Sequence, residues 1–525
     1  MPLWILNTKN NSRNLSNTRS ARGRRVKRLQ KRAGILKSRC NELQQQFMGL
    51  KKQFSDTTAE LEMARAELIF RSSIEQADSE QLDSHPLIDQ ERPMPGFQFN
   101  LTMIATAIEL GKRIGFRATA DALQIVFDML KIEVKVPSHD AIEQWTLRLG
   151  VASLKDTFKK GERVLWMADH SSQIGKERLL LIVGIALEDL PPAGQTLMFD
   201  KLKVLAMVPG QSWKKEDVER EYLKLAGQIG APVYLLCDGA SELREPAEKL
   251  ENSGKKTIVL GDLKHRAANV LEKEISRGGR FQTFVSEVGL TRNRVQQTEL
   301  DQFSPPTLRS KSRFMNLGPL FTWATMVLYH LNNPASEARQ AISAERMEQK
   351  LGWLREYAND LVLWNQCQAV IDRSLSVINL HGLDAQTSQL VERSLSESNP
   401  NWRQEDCSAT RIAEQLLDWI QQSLGKLEPG ERTWLSTEIL ESLFGKFKQI
   451  ERQHSKGGFT RSIAAIPTLC IQATRETVRK AFASVSSKAT QQWIQESLGK
   501  TLTARRNAAY KESRPKKCDH VLSTA

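Results

Sequence analysis

The sequence has few of the features that mark secreted or membrane proteins. Its six cysteines include no Cys-x-x-Cys pair, so neither a disulfide framework nor a thiolate zinc site is expected. No apolar run approaches the roughly 18 residues of a membrane-spanning helix. The first residues, Met1 to Leu6, lead directly into polar sequence without the apolar region of a signal peptide. We therefore expect an intracellular protein with no membrane partner.

Acidic residues are also in short supply. The chain carries 75 Lys and Arg against 61 Asp and Glu, which gives a formal net charge of +14. This balance favours a polyanionic partner, although binding to a membrane surface fits it as well. With 525 residues, of which 40% are hydrophobic and 26% charged, the chain is long enough for two to four ordinary globular domains.

Positive charge is concentrated at the N-terminus, where the first 50 residues carry twelve Lys or Arg against one acid, Glu42. Such an arm can neutralise phosphates, and a solvated tail without a specific partner has the same composition. From Leu29 onward a heptad pattern predicts a coiled coil, which favours homodimerisation over an arm that folds back on its own chain. The two seam positions hold Leu29, Leu36, Leu43, Leu50, Thr57 and Ala64, and Ala33, Cys40, Phe47, Phe54, Leu61 and Leu68.

Three helical patterns follow a polar, aperiodic segment that we interpret as a linker. They cover Leu101–Ile114, Ala118–Leu130 and a third stretch from its N-cap at Ser138 to Gly150. Three short helices in a basic protein resemble a helix-turn-helix DNA-binding domain, although any three-helix bundle gives the same pattern.

The third helical pattern has one apolar and one polar stripe. Ile142, Trp145 and Leu149 fall on the apolar stripe, which predicts that they bury the helix against its neighbours. Gln144 and Arg148 lie outside that stripe, and we expect them to contact base edges if this is a recognition helix.

The apolar run Arg163-Val-Leu-Trp-Met-Ala-Asp169 ends in a carboxylate and is followed by polar sequence up to Gly175. A short apolar run between turn formers predicts a buried strand that delivers Asp169 to the rim of a sheet. The alternative for a lone Asp is a helix cap or a turn. A second apolar run, Pro232 to Cys237, ends in the same way at Asp238.

Between and after these two runs, the pattern predicts the element order βββαβαβα. Short links between the first three strands imply an antiparallel meander. The remaining predicted elements are the strands Arg178–Leu187, Leu202–Val208 and Thr257–Leu260, and the helices 214–230, one capped by Ser241, and Leu263–Ile275.

This order, with an Asp at the end of the first and fourth strands, resembles the ribonuclease H-like fold of retroviral integrases and DDE transposases. In that fold the two strands lie side by side, so the resemblance implies that Asp169 and Asp238 converge. It also implies two Mg²⁺ or Mn²⁺ ions, held by these carboxylates and by a third acid from a nearby helix.

Two further motifs carry the resemblance. The segment Gly261-Asp262-Leu-Lys-His265 is similar to the Asp-x-x-His signature of hAT-like and Mutator-like transposases, in which a helical insertion follows. We expect Asp262 and His265 to form a helix cap and a supporting hydrogen-bonding pair rather than to bind the metal directly. The predominantly helical stretch 281–430, with its five tryptophans, matches such an insertion in place and size, and we expect those tryptophans to pack in its core.

The segment Glu438-Ile-Leu-Glu441-Ser-Leu-Phe-Gly-Lys446-Phe-Lys448 resembles the helix that carries the third acid in bacterial DDE transposases. We predict Glu441 as the third metal ligand, with Glu438, one helical turn earlier, as the alternative. Lys446 and Lys448 are then expected near the DNA backbone, although two solvated lysines fit the same pattern.

The sequence thus predicts an α/β, ribonuclease H-like core with a mixed five-stranded sheet inside a largely α-helical chain. The resemblance implies a bacterial insertion-sequence transposase in the cytoplasm, associated with the nucleoid, that binds the terminal repeats of a mobile element, cleaves DNA and joins the 3′ ends to target DNA. The alternatives are a ribonuclease H-like nuclease and a transposase-derived DNA-binding regulator. The predicted segments are a basic arm and coiled coil (1–70), a linker (71–97), a helix-turn-helix-like domain (98–152), the first part of the core (160–280), an all-helical insertion (281–430), the core helix with the third acid (431–480) and a basic C-terminal region (481–525).

Overall fold

The computed structural model describes Pro93 and residues 95–131, 134–174, 177–210, 212–252, 254–307, 313–336, 339, 342–452, 459–499 and 502–513. The chain forms two units, Met1–Met103 and Ile104–Ala525. The described part of the first unit leads to Asn100, whose side-chain oxygen accepts the N–H of Met103 at 2.8 Å at the start of a helix. The predicted basic arm and heptad segment lie outside the described residues.

Among the described residues, three helices precede the sheet. They are α1 (Leu101–Ile114), α2 (Phe116–Leu130) and α3 (His139–Ser153). The predicted cap is confirmed, because the Ser138 hydroxyl accepts the N–H of Ala141. The predicted apolar stripe of α3 is buried, but the helix continues for three residues beyond the predicted stop at Gly150.

A mixed five-stranded sheet forms the core and confirms the predicted fold class. Its strands lie in the order β3-β2-β1-β4-β7. β1 pairs antiparallel with β2 and parallel with β4, and β4 pairs parallel with β7. The strands are β1 (Val164–Ile174), β2 (Glu177–Ala186), β3 (Lys203–Gly210), β4 (Tyr234–Cys237) and β7 (Ile258–Gly261), and a separate ribbon is formed by β5 (Glu251–Asn252) and β6 (Lys255–Lys256).

The two faces of this sheet are covered by different helices. On one face, alternate residues of β1, including Trp166 and Ala168, pack against Val218 and Tyr222 of the helix α4 (Lys215–Ile229). Because side chains alternate along a strand, Asp169 points to the opposite face. That face carries α6 (Leu263–Ile275), which follows β7, and a helix from the C-terminal part of the chain. A short helix, α5 (Ser241–Ala247), follows β4.

The prediction that β1 ends at Asp169 is wrong. β1 continues to Ile174, and residues 170–174 pair with the first residues of β2. The polar residues after Asp169 favour a turn locally. In the hairpin, however, β2 provides hydrogen-bond partners for their backbone groups, so these residues extend the strand instead. Ser241 is likewise the first residue of α5, and Ala240 holds the cap position.

Among the described residues of the predicted insertion, the longer elements are all helices. Its helices are α7 (Arg280–Val295), α8 (Gly318–Asn332), α9 (Ala344–Leu351), α10 (Ala358–His381), α11 (Thr387–Ser398) and α12 (Ser408–Leu424). An aromatic cluster fills the centre, where the ring of Trp364 lies 5.3 Å from Phe281 and 5.0 Å from Phe284. α10 and α12 pack against α6, so the insertion rests directly on the core.

The chain then returns to the core. The remaining helices are α13 (Glu438–Arg452), α14 (Phe459–Ser462), a 3₁₀ helix (Ile463–Cys470), α15 (Arg475–Ser484), α16 (Ser487–Trp493), a π-helical turn (Ile494–Leu498) and α17 (Leu502–Glu512). α13 packs against β1, and the 3₁₀ helix packs against α3. No helix among the described residues is long and apolar enough to span a membrane. The seven segment boundaries given above stay a prediction.

Candidate active site

The pairing of β1 with β4 brings Asp169 and Asp238 together. The last paired positions of these parallel strands are Ala168 and Cys237, so each Asp is the next residue on its strand. Because side chains alternate between the two faces of a sheet, both carboxylates point to the same face, which α6 and α13 cover. The predicted convergence of the two carboxylates agrees with this register, although Asp169 lies in the middle of β1 rather than at its end.

Each carboxylate is held by a backbone N–H. One oxygen of Asp169 accepts the N–H of His170 at 2.6 Å, and one oxygen of Asp238 accepts the N–H of Ala240 at 2.8 Å. The second contact closes a tight turn in which Gly239 adopts φ +87°, a conformation that other residues rarely adopt. The turn fixes the carboxylate of Asp238 at the end of β4.

Asp169 is buried among other acids. Burial is the largest cause that raises its pKa to about 7, and the nearby charge of Asp238 is the next. The charge of Glu441 also raises this pKa, whereas the N–H of His170 and the charge of His265 lower it. Neighbouring carboxylates repel one another when they are charged, and a bound cation relieves such repulsion.

α13 delivers Glu441 to this group. Its apolar side chains, among them Leu440, Phe444 and Phe447, are buried, which orients the polar first turn towards the sheet. The start of the helix is fixed to the core by the carboxylate of Asp262, which accepts the N–H of Thr437 at 2.7 Å.

Both glutamates of the first turn of α13 contact Lys264 on α6. The ammonium of Lys264 lies 2.9 Å from Glu438 and 2.8 Å from Glu441. Burial would lower the pKa of Lys264, but its hydrogen bonds to Glu441 and Glu438 raise it. The second oxygen of Glu438 accepts the side-chain amide of Asn379, so this carboxylate is bound on both sides.

The partners of the two glutamates differ. The charge of Glu441 is one of the causes that raise the pKa of Asp169. Glu438 instead lies beside the insertion, where it contacts Asn379 of α10. The choice of Glu441 over Glu438 agrees with this arrangement, and as a metal-ligand assignment it stays a prediction.

Asp262 is the N-cap of α6. One oxygen accepts the N–H of His265 at 2.9 Å and lies 2.7 Å from Nδ1 of the His265 ring, and the other oxygen holds Thr437. Burial would lower the pKa of His265, but the hydrogen bond to Asp262 raises it, helped by the charge of Asp238. The pair therefore serves as a cap and a support, which is the role expected from the sequence.

Replacing Asp262 with Asn should destabilise the protein, because an amide cannot accept on both sides. We expect a loss of about 2 kcal/mol in the free energy of unfolding, together with a fall in the pKa of His265. Urea denaturation and NMR titration of the ring measure the two effects. Asp217→Asn is the control, because the carboxylate of Asp217 in the first turn of α4 accepts the N–H of Lys214 at 3.3 Å, and a loss as small as in that control would contradict the role of Asp262.

The structure gives Gln144 and Arg148 roles inside the chain. The guanidinium of Arg148 donates to the carbonyl oxygens of Val485 and Phe482 and lies 4.4 Å from the centre of the Phe482 ring. The side chain of Gln144 accepts from Gln491 at 2.9 Å. These contacts join α3 to α15 and α16, and base contacts by the same two side chains stay a prediction.

The two lysines predicted near DNA lie on α13 beyond the acids. Lys446 is exposed and its ammonium lies 4.3 Å from the centre of the Phe199 ring. Lys448 is half-buried. Both follow Glu441 on the same helix, so cationic groups lie within two turns of the acidic group.

Two features of this region were not predicted from the sequence. One is Lys264, which lies inside the recognised Asp-x-x-His segment and faces both glutamates. The other is the His170 ring, which stacks on Trp213 at 6.1 Å between ring centres, on the sheet face opposite Asp169. In the sequence, Lys264 and His170 are single residues within or next to a motif. The residues that they contact lie in distant parts of the chain, so the sequence did not indicate these contacts.

A divalent cation fits the Asp169–Asp238 pair by donor chemistry, because two crowded carboxylates offer hard oxygen ligands. Glu441 is near enough to add its charge, but it is ion-paired with Lys264. Within the described parts of the chain, no three His, Cys, Asp or Glu side chains are grouped closely enough to hold a metal ion. The two Asp residues lie together, and the role of Glu441 as the third ligand stays a prediction.

Comparison with known proteins gives a distant likeness to a solved structure. No protein-family model and no curated protein matches the chain. Among solved structures, it is similar to the transposase of the Drosophila P element strand transfer complex, with 12% sequence identity and a TM-score of 0.32. The match covers 80% of this chain and 100% of the other. At a TM-score this low, the likeness shows no function for this chain.

Proposed function

We propose that this chain is a DNA transposase that binds the terminal repeats of a mobile element, cleaves phosphodiester bonds and joins the 3′ ends to target DNA. The observation that carries the proposal is the acidic group formed by Asp169 and Asp238 on adjacent parallel strands, with Glu441 beside them on α13. Two acids on adjoining core strands and a third on a packed helix suit phosphoryl transfer.

The acids would hold two divalent cations, Mg²⁺ or Mn²⁺. Bound there, the cations would supply an activated oxygen nucleophile and stabilise the leaving oxygen. The protein's own contribution is to keep Asp169 and Asp238 rigid through backbone N–H bonds and to keep α13 in place through Asp262. The ring of His265, whose pKa is raised mainly by the hydrogen bond to Asp262, lies beside the acids and is held there by the same carboxylate that fixes α13.

DNA is the polyanion that best suits this site. The chain has a net charge of +14, which favours binding to a phosphate backbone. Lys446 and Lys448 lie on the helix that carries Glu441, and we propose that they contact phosphates on either side of the bond that is cut. Backbone contacts of this kind position the DNA without reading its sequence.

The experiment uses the DNA ends that flank the gene, labelled at their 5′ termini. We expect the full chain to cut at the element boundary in Mg²⁺ or Mn²⁺, and to bind without cutting in Ca²⁺. A cut that needs no divalent cation would contradict the proposal.

The same reaction distinguishes the two alternatives. A transposase transfers the cleaved 3′ end into a target plasmid and gives a joined product. A ribonuclease H-like nuclease cuts without joining and does not prefer element ends. A regulator descended from a transposase binds the ends and does neither.

Deleting residues 1–70 should weaken assembly and DNA binding together. The deletion removes the predicted heptad seam and fifteen Lys or Arg residues, so we expect a lower mass in sedimentation and a shallower dependence of DNA affinity on salt. An unchanged mass would contradict dimerisation through this segment, and an unchanged salt dependence would contradict its contact with phosphates.

A further inference from the structure

Lys264 neutralises the third acid in the cation-free protein. Its side chain is only 17% exposed, and its ammonium lies between the carboxylates of Glu438 and Glu441 at 2.9 and 2.8 Å. An ammonium at this distance satisfies the charge of a carboxylate and one of its hydrogen bonds. A divalent cation that recruits Glu441 therefore has to compete with Lys264.

The two glutamates are not held equally. Glu438 is bound by Lys264 on one oxygen and by Asn379 on the other. Glu441 contacts Lys264 through one oxygen at 2.8 Å, and its side chain is about as exposed as that of Glu438, 37% against 32%. If Glu441 moves towards the Asp pair, Lys264 therefore keeps Glu438 as a counter-ion and is not left as an unpaired buried charge, which would be costly.

There is also space for this exchange. Lys264 and Glu438 line a cavity of about 300 Å³ between α6, α10 and the segment that leads into α8, and the cavity also contains Asp372. The ammonium can turn towards this cavity while it remains among negatively charged groups. Glu441 does not line the cavity, so the movement would separate it from Lys264.

We infer that Lys264 is a positioning residue that competes with the divalent cation for Glu441. In the cation-free protein Lys264 holds Glu441 beside the Asp pair, and on cation binding it releases Glu441 and keeps Glu438. This inference rests on the proposed function, because it takes Asp169, Asp238 and Glu441 as the ligands. It makes Glu438 the retaining partner of Lys264 rather than a ligand.

The test measures cation binding by the full chain without DNA, with Mn²⁺ as the probe and the electron paramagnetic resonance signal of free Mn²⁺ as the readout. Removing the competing charge in Lys264→Met should tighten Mn²⁺ binding about tenfold. A purely structural lysine would give the opposite sign, because its loss disorders the site. Lys249→Met, which removes a lysine paired with Glu219 at 2.6 Å on the surface, is the control and should leave binding unchanged.

A second variant covers the case in which Lys264→Met does not fold. Glu438→Gln takes away the second counter-ion, so Lys264 should hold Glu441 more tightly and Mn²⁺ binding should weaken. Where the double variant folds, the Glu438→Gln effect should disappear in the Lys264→Met background. An effect that persists there would make Glu438 a ligand and overturn the inference.

The outcomes separate this inference from the proposed function. Unchanged or weaker binding in a folded Lys264→Met, or unchanged binding in Glu438→Gln, overturns the role of Lys264. If Asp169→Asn binds Mn²⁺ as well as the unmodified chain does, the metal site itself is wrong and the proposed function fails. Loss of binding in Asp169→Asn with no gain in Lys264→Met leaves the proposed function standing and removes only this inference.

Discussion

Asp169→Asn and Asp238→Asn should each lower DNA cleavage by about a thousandfold or more, while binding of the element ends stays within about threefold. Each change removes a ligand charge and nearly preserves side-chain volume, so the loss falls on chemistry rather than on folding. Cleavage is measured on labelled ends in Mg²⁺, and binding is measured in Ca²⁺. Full activity in either variant would contradict the assignment of the two acids.

The third acid is tested in the same assay by substituting each of the two glutamates in the first turn of α13. Glu441→Gln should lose cleavage as completely as the Asp variants do. Glu438→Gln should retain cleavage at a saturating Mg²⁺ concentration, because Glu438 serves Lys264 and Asn379 rather than the cation. An inactive Glu438→Gln beside an active Glu441→Gln would transfer the role to Glu438.

Gly150→Ala, which adds a single methyl group, should cause a large loss of stability. A Cβ at this position of α3 would overlap the carbonyl oxygen of Ala464 in the 3₁₀ helix and also approach Thr468. A backbone carbonyl cannot rotate away as a side chain can, so we expect a loss of about 3 kcal/mol or more in the free energy of unfolding. Thermal and urea denaturation measure it.

The control for Gly150→Ala is Gly227→Ala in α4, which is exposed and whose added Cβ meets no atom within 4 Å among the described residues. There the change should stabilise the helix by about 0.5–1 kcal/mol, because Ala loses less backbone entropy than Gly. Opposite signs at the two sites would show that close packing between α3 and the 3₁₀ helix decides the effect. A stabilised Gly150→Ala would contradict that packing.

The core elements could be predicted because their signals are local and agree with one another. The apolar runs of β1 and β4 are continuous, and the cap at Ser138 and the start of α6 at Leu263 follow from single residues. The strand order required the resemblance, since no local pattern states that β1 pairs with β4. Once that pairing is assumed, the adjacency of Asp169 and Asp238 follows directly.

The errors have non-local causes. β1 runs past Asp169 because β2 pairs with the polar residues that follow it. The backbone hydrogen bonds of this hairpin outweigh the preference of those few residues for a turn. Gln144 and Arg148 have the polarity of base-reading residues, but α15 and α16, more than 300 residues later in the chain, cover that face of α3. The sequence of α3 alone contains no sign of this cover.

The acids of the site could be predicted from the sequence, but the ion pairs of Glu438 and Glu441 with Lys264 could not. Carboxylates at strand ends and on a patterned helix are visible as residue types, which led to Asp169, Asp238 and Glu441. Whether Lys264 faces solvent or α13 depends on how α6 and α13 pack, and neither segment alone determines that packing. The distinction between Glu438 and Glu441 depends on Asn379, which belongs to the insertion.

The most direct test of the central claim, that Asp169, Asp238 and Glu441 together hold the divalent cations, is backbone cleavage by bound iron. Fe²⁺ is added to the full chain in place of Mg²⁺, hydroxyl radicals are generated with ascorbate and peroxide, and the fragments are identified by mass spectrometry. We predict cuts beside all three acids, in β1, after β4 and in the first turn of α13, which excess Mg²⁺ suppresses and Asp169→Asn abolishes. Cuts confined to other segments, or cuts that persist unchanged in Asp169→Asn, would contradict the claim.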